Sequence, residues 1–201
     1  MENEQQSQGH HPAGVKARLA SDIQLSIRAE KPGSVVQVAY LVPDVDAAIE
    51  EWRASTTAGP FFRTSFDQST QIFRGQPTNG TLEIAIAFRQ DMCIELMRFV
   101  GEGPSVYSVP GLPAKGLHHL MIATDDLDGD IARHEAAGEA LIADGQVPGF
   151  GRAVFIDTMA RLGHLTEYGT WVPPVLQAIE TMRLAHLDWD GSDPIRPYPA
   201  I

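Results

Sequence analysis

Two stretches of the chain carry the same alternation of apolar and polar positions. In VVQVAYLVPDVDAAIEEW, residues 35–52, a β-rich apolar run ends at an aspartate, after which Val45, Ile49 and Trp52 recur at helical spacing. In GLHHLMIATDDLDGDIARH, residues 116–134, the run Leu117–Thr124 ends the same way, and Leu127, Ile131 and His134 follow. Placing Gln37 on His119 pairs Asp44 with Asp126 and Ile49 with Ile131 at a constant offset of 82 residues. Aspartate before an apolar-periodic segment is a helix N-cap signal, so each copy predicts a strand, a cap and a helix. Gly138 is a natural stop for the second helix, and Gly59-Pro60 bounds the region after the first.

Shorter apolar segments separated by turn residues follow each helix. In the first half they lie around Gln71–Phe73, Leu82–Phe88 and Cys93–Phe99; in the second, around Ala140–Ala143, Ala153–Thr158 and His164–Tyr168. The pattern is βαβββ twice, an α+β chain. The expected organisation is a polar extension over 1–32, one module over 33–100, a Gly/Pro-rich linker over 101–115, a second module over 116–170, and a helix and strap over 171–201. A four-stranded sheet with one helix leaves its other face apolar. Two such modules bury it by pairing into a curved mixed sheet around a central cavity, within one chain or between swapped modules of a dimer. Pro173-Pro174 opens a helix with Val175, Ile179 and Met182 on one face, followed by a strap anchored by Trp189. Leu19, Ile23, Leu25 and Ile27 outline a second strap within 14–30.

Composition narrows the function classes. The 201 residues are 43% hydrophobic and 20% charged, as in globular proteins. A formal charge of −11 disfavours nucleic acid as a partner. No run approaches the roughly 18 apolar residues of a membrane span, and the single cysteine, Cys93, fits a reducing cytoplasm. With three lysines and no basic cluster, nothing marks a phosphate-rich ligand.

The matched first strands place Gln37 and His119 at one register, and the last strand of each half carries a carboxylate, Glu95 or Glu167. A carboxylate inside a short apolar strand needs a partner, and one divalent cation would serve both. Strand alternation sets Gln37 with Ala39 and Leu41. In regular strands it also puts His118 opposite to His119 and His164 opposite to Glu167, excluding His118 and His164 from a shared site.

At QVAYLVPDVDAAIEEW, IELM, GLHHLMIATDDLD and LGHLTEYG the chain resembles the vicinal oxygen chelate superfamily, in particular its branch of glyoxalase I and methylmalonyl-CoA epimerase. The resemblance spans roughly residues 35 to 170 and is specific for the superfamily, weak for any one reaction. It implies a glyoxalase/bleomycin resistance/dioxygenase-like fold with family metal ligands at Gln37, Glu95, His119 and Glu167. The implied cofactor is one divalent ion among Zn, Mg, Mn, Co and Ni; Glu95, where an extradiol dioxygenase would supply histidine, disfavours oxygen chemistry. It further implies a lyase or isomerase acting on a carbonyl substrate through a metal-stabilised enolate, with Glu167 as the base, and a homodimer. Residues 65–80 lack the glutamate expected of the epimerase, and no arginine cluster marks a glutathione site. Phe61, Phe62, Phe88, Met97, Met121 and Phe150 are the expected pocket lining, suiting a small-molecule substrate with a hydrophobic body. Gly149-Phe150-Gly151 reads as a turn into the next strand, with hinge freedom for a loop over the site. The alternative is a metal-free sequestering protein of the bleomycin-resistance type, whose two glutamates bind a cationic ligand or pair with arginines.

Overall fold

The computed structural model describes residues 31–147 and 149–201. The strap expected within 14–30 lies outside them. The first strand, β1 (Val35–Leu41), leads through Asp44 into α1 (Val45–Ser55), and the Asp44 side chain accepts the Ala47 backbone N–H. The repeat predicts the same device in the second half. There β7 (Gly116–Ile122) is followed by α2 (Leu127–Ala136), and Asp126 accepts from the Gly129 N–H. Each cap satisfies a backbone donor that the first helical turn leaves without a partner.

The remaining strands are β2 (Phe61–Asp67), β3 (Gln71–Phe73), β4 (Gln76–Pro77), β5 (Asn79–Arg89), β6 (Met92–Glu102), β8 (Leu141–Val147), β9 (Gly151–Ile156), β10 (Leu165–Trp171) and β11 (Ile195–Pro197). They form one mixed sheet ordered β11-β2-β5-β6-β1-β7-β10-β9-β8-β3-β4. The two first strands meet antiparallel at its centre, each flanked by its own half's last strand in parallel: β6 beside β1, and β10 beside β7.

One sequence expectation is corrected here. The strand after α1 is β2, not Gln71–Phe73. Residues 71–77 instead form a hairpin that leaves the first half and pairs with β8 of the second. Gln37 precedes His119 by 82 residues but Glu95 precedes Glu167 by only 72, so the first half is ten residues longer between its outer strands. The hairpin lies in that interval.

The helices α1 and α2 cover the convex face. Val45, Ala48 and Ile49 pack on Ala85, Ala87, Ile94 and Leu96, while Leu127 and Ile131 pack on Val154, Ile156 and Tyr168. The concave face carries one core shared by both halves, from Phe62 and Ile84 to Phe155 and Leu165, closed by Met182 and Ile179 of α4 (Pro173–Leu187). The four-residue α3 (Met159–Leu162) links β9 to β10. Within the connection between the halves, Ser105, Val106, Tyr107 and Val109 are buried in and around a 3₁₀ turn at Val106–Ser108. The strap after α4 returns as β11 along the β2 edge, and Trp189 stands against Gly59.

Candidate metal centre

The sheet order places Glu95, Gln37, His119 and Glu167 on four consecutive central strands, β6, β1, β7 and β10. Their registers obey the repeat. Ala39 faces Glu95 across β1–β6 as Met121 faces Glu167 across β7–β10. Alternation turns all four inward onto one cavity, where each is at most 9% exposed. These are the four residues that the repeat and the resemblance single out.

Their polar atoms converge. His119 Nε2 lies 2.6 Å from Glu167 Oε2 and 3.9 Å from Glu95 Oε2. Gln37 Nε2 donates to Glu95 Oε2 at 2.8 Å, and its Oε1 accepts from the Cys93 thiol at 3.5 Å. Burial and the neighbouring Glu167 push the Glu95 carboxyl up to about 8, and burial alone takes Glu167 to about 8. Burial, reinforced by His164, holds the His119 imidazole down at about 3. Burial also drives the Cys93 thiol well up, with Glu95 and Glu167 adding to the effect. Every group is thus pushed toward its neutral form, as expected of ionisable groups without an opposite charge. Among the described residues, no lysine or arginine pairs with either carboxylate.

His119 Nε2 is a buried polar atom without a hydrogen bond; the Trp171 indole nitrogen is the other such atom among the described residues. A buried lone pair facing two carboxylates is electrostatically poor by itself and matches the needs of a divalent cation. Among the described residues, no three His, Cys, Asp or Glu side chains are spaced as a ready-made cage. Ligand atoms about 2.1 Å from a tetrahedral ion stand roughly 3.4 Å apart. The 2.6 and 3.9 Å separations of His119 Nε2 from the two carboxylates bracket that spacing, while the Gln37 oxygen is turned to Cys93 and would have to rotate to join them. One imidazole, two carboxylates and an amide form an oxygen-rich donor set for a hard or borderline ion.

Strict alternation fails at one place. Ala39 pairs with His119, but Tyr40 pairs with Leu117, so a bulge falls at His118. The extra residue brings His118 beside His119, with their Nδ1 atoms 2.8 Å apart, instead of on the opposite face. His118 still does not face the carboxylates, because its Nε2 is bonded to the Val106 carbonyl at 3.1 Å. His164 is turned to the Leu165 carbonyl and is absent from the cavity wall.

The cavity is about 130 Å³, roughly ten times the space one water needs. Of the six apolar residues expected to line it, Met97, Met121 and Phe150 do so. Phe61 does not: adjacent strand residues point to opposite faces, and Phe61 lies in the core beneath α1. Phe62 and Phe88 are on the concave face but buried in the core away from the opening. Gly149-Phe150 is a turn into β9, with Phe150 edge-on to Phe66 at 4.9 Å. Ile84, Ile86, Phe155, Tyr107, Trp171 and Tyr198 also line the cavity, beyond the residues expected from the sequence. The parity of β5 and β9 contains the signal for Ile84, Ile86 and Phe155. Tyr107 sits in a Gly/Pro-rich stretch with no periodicity to read.

Residues 29–155, more than half of the chain, match the sequence profile of the Glyoxalase/Bleomycin resistance protein/Dioxygenase superfamily. Among solved structures, the fold is similar to methylmalonyl-CoA epimerase from Mycobacterium tuberculosis, with a TM-score of 0.53, 20% identity, and coverage of 73% of this chain and 92% of that one. It is equally similar to a hypothetical protein from Bacillus halodurans C-125, with a TM-score of 0.53, 14% identity, and coverage of 69% and 94%. At such identities the likeness concerns the fold. No curated protein matches the sequence. The profile match, the duplicated strand–helix pattern and the central pairing of β1 with β7 together make this chain a member of the Glyoxalase/Bleomycin resistance protein/Dioxygenase superfamily.

Proposed function

We propose that the chain is a divalent-metal-dependent lyase or isomerase that moves a proton beside the carbonyl of a neutral substrate with a hydrophobic body. The observation that carries this reading is the orphaned His119 Nε2, buried and facing Glu167 and Glu95 with no lysine or arginine on the described cavity wall. Gln37, Glu95, His119 and Glu167 would hold the ion, which supplies Lewis acidity to a substrate carbonyl oxygen.

The protein's own groups divide the remaining work. Glu95 Oε2 is held by the Gln37 amide, whereas Glu167 Oε2 lies 2.6 Å from His119 Nε2 in a contact that is no hydrogen bond. Glu167 is therefore the carboxylate free to rotate, take a proton from carbon and return it. Phe66, Phe150, Ile84 and Ile86 present an apolar wall to the rest of the substrate and exclude water. Apart from the ion itself, no lysine or arginine on the described wall would hold an anionic group of the substrate, which favours an uncharged one. The stretch that would carry a second acid in an epimerase contributes the amides of Gln68 and Gln71 to the wall. That favours a single-carboxylate proton transfer.

The test is deuterium incorporation at the carbon beside the carbonyl, followed by NMR in D₂O with neutral aryl-bearing α-hydroxyketones and Co²⁺. Exchange is expected with the wild type and should fall about 100-fold or more in Glu167→Gln. Undiminished exchange in that variant removes Glu167 as the base. Tight binding of an apolar amine without exchange, and with no metal uptake, would favour the sequestering alternative.

A further inference from the structure

We infer that His118 is a positioning residue that fixes the tautomer of His119 through a three-group relay ending at the Val106 carbonyl. A carbonyl oxygen only accepts, so the 3.1 Å contact from His118 Nε2 to Val106 O requires the proton on Nε2. In a neutral His118 this leaves Nδ1 as an acceptor. The 2.8 Å contact between the two Nδ1 atoms then requires His119 to donate from its Nδ1. His119 Nε2 is left as a bare lone pair, and it is this atom that lacks a hydrogen bond and faces the carboxylates.

The sequence and packing make the relay possible. The bulge in β7 brings two consecutive histidines into contact, which a regular strand forbids. Tyr107 stacks on the His118 ring at 5.4 Å and 24°, and Phe155 stands edge-on to His118 at 6.0 Å and to His119 at 5.2 Å. The rings cannot turn without displacing buried aromatics. Val106 and Tyr107 belong to the connection between the halves, which thereby supports the centre as well as joining the modules. A metal-binding histidine is oriented by the acceptor for its other nitrogen; here that acceptor is another histidine.

The significance for metal binding rests on the function proposed above, but the tautomer does not, so the two are tested apart. Two-bond ¹H–¹⁵N correlation on metal-free protein is expected to show His119 protonated at Nδ1. Protonation at Nε2 in the wild type would overturn the relay whatever the metal does. In His118→Phe the Nε2–H form should appear, and Co²⁺ affinity, measured by chelator competition, should fall about 10- to 100-fold. His118→Gln keeps an acceptor and a donor at similar separation, and is expected to restore the Nδ1–H form and most of the affinity. That variant covers the case in which His118→Phe does not fold. An unchanged His119 tautomer in folded His118→Phe also overturns the relay. Nδ1–H in a wild type that takes up no Co²⁺ leaves the relay standing and removes the metal.

Discussion

Glu95 and Glu167 occupy matching registers on strands that flank the central pair β1 and β7, and the charge of Glu167 helps to raise the Glu95 carboxyl. Two buried acids held toward their protonated forms, Glu95 by burial and by Glu167 and Glu167 by burial, make the site's stability depend on pH in a defined direction.

Both carboxyls rise from 4.5 to about 8 on folding. The folded metal-free protein therefore keeps protons that the unfolded chain has released, and this stabilisation is full below 4.5 and lost as pH rises to about 8. His118 and His119 fall from 6.5 to about 3, so their contribution is full above 6.5 and lost as pH falls toward 3. The opposed slopes nearly cancel between 4.5 and 6.5, and above 6.5 only the carboxyl loss remains. Thermal melts in chelator should show Tm falling from pH about 6 to about 8, and Co²⁺ should reverse the fall by favouring deprotonated ligands. A Tm that climbs over that interval without metal would show that the carboxyls are already ionised.

The two faces of the sheet should separate under mutation. Ile49 of α1 is fully buried against the convex side of the sheet, whereas Met97 lines the cavity. Ile49→Ala is expected to cost about 2–5 kcal/mol in denaturant unfolding and leave ligand preference unchanged. Met97→Ala should shift preference toward bulkier neutral ligands, read as a change in relative affinity across a size series.

The C-terminal strap is anchored where Gly59 and Trp189 meet. Gly59 has φ +143°, and a Cβ there would collide with the indole ring. The His186 ring also donates to the Gly59 carbonyl at 2.7 Å. Gly59→Ala should destabilise by about 1–3 kcal/mol, and by less in a Trp189→Ala background, where the ring it strikes is gone. Equal costs in both backgrounds would place the strain in the backbone alone.

Much of this was legible in the sequence because it depends on local periodicity. The strands around Gln37 and His119, the caps Asp44 and Asp126 and the helices behind them recur with one spacing, and parity then aims the four candidate ligands at one face. The features that escaped depend on partners far along the chain. β2 escaped because FFRTSFD begins with two adjacent aromatics and ends at a sheet edge, giving no clean alternation. The β3–β4 hairpin looked like an ordinary strand because nothing within residues 71–77 reveals that it pairs with β8. The bulge at His118 is a mismatch between β1 and β7, visible only once both are in register. The same dependence hid the packing of Val106 and Tyr107, whose role is set by His118 rather than by their neighbours.

Gln37, Glu95, His119 and Glu167 are proposed to bind one cation between the two halves of the chain. Calorimetric titration of chelator-stripped protein with Co²⁺, run at pH about 7 in two buffers of different ionisation enthalpy, tests it most directly. The expected result is one ion per chain, proton release because the raised carboxyls must ionise, and loss of binding in a Glu95→Gln, Glu167→Gln double variant. Absence of uptake by the folded wild type, or uptake that survives in the double variant, would contradict it.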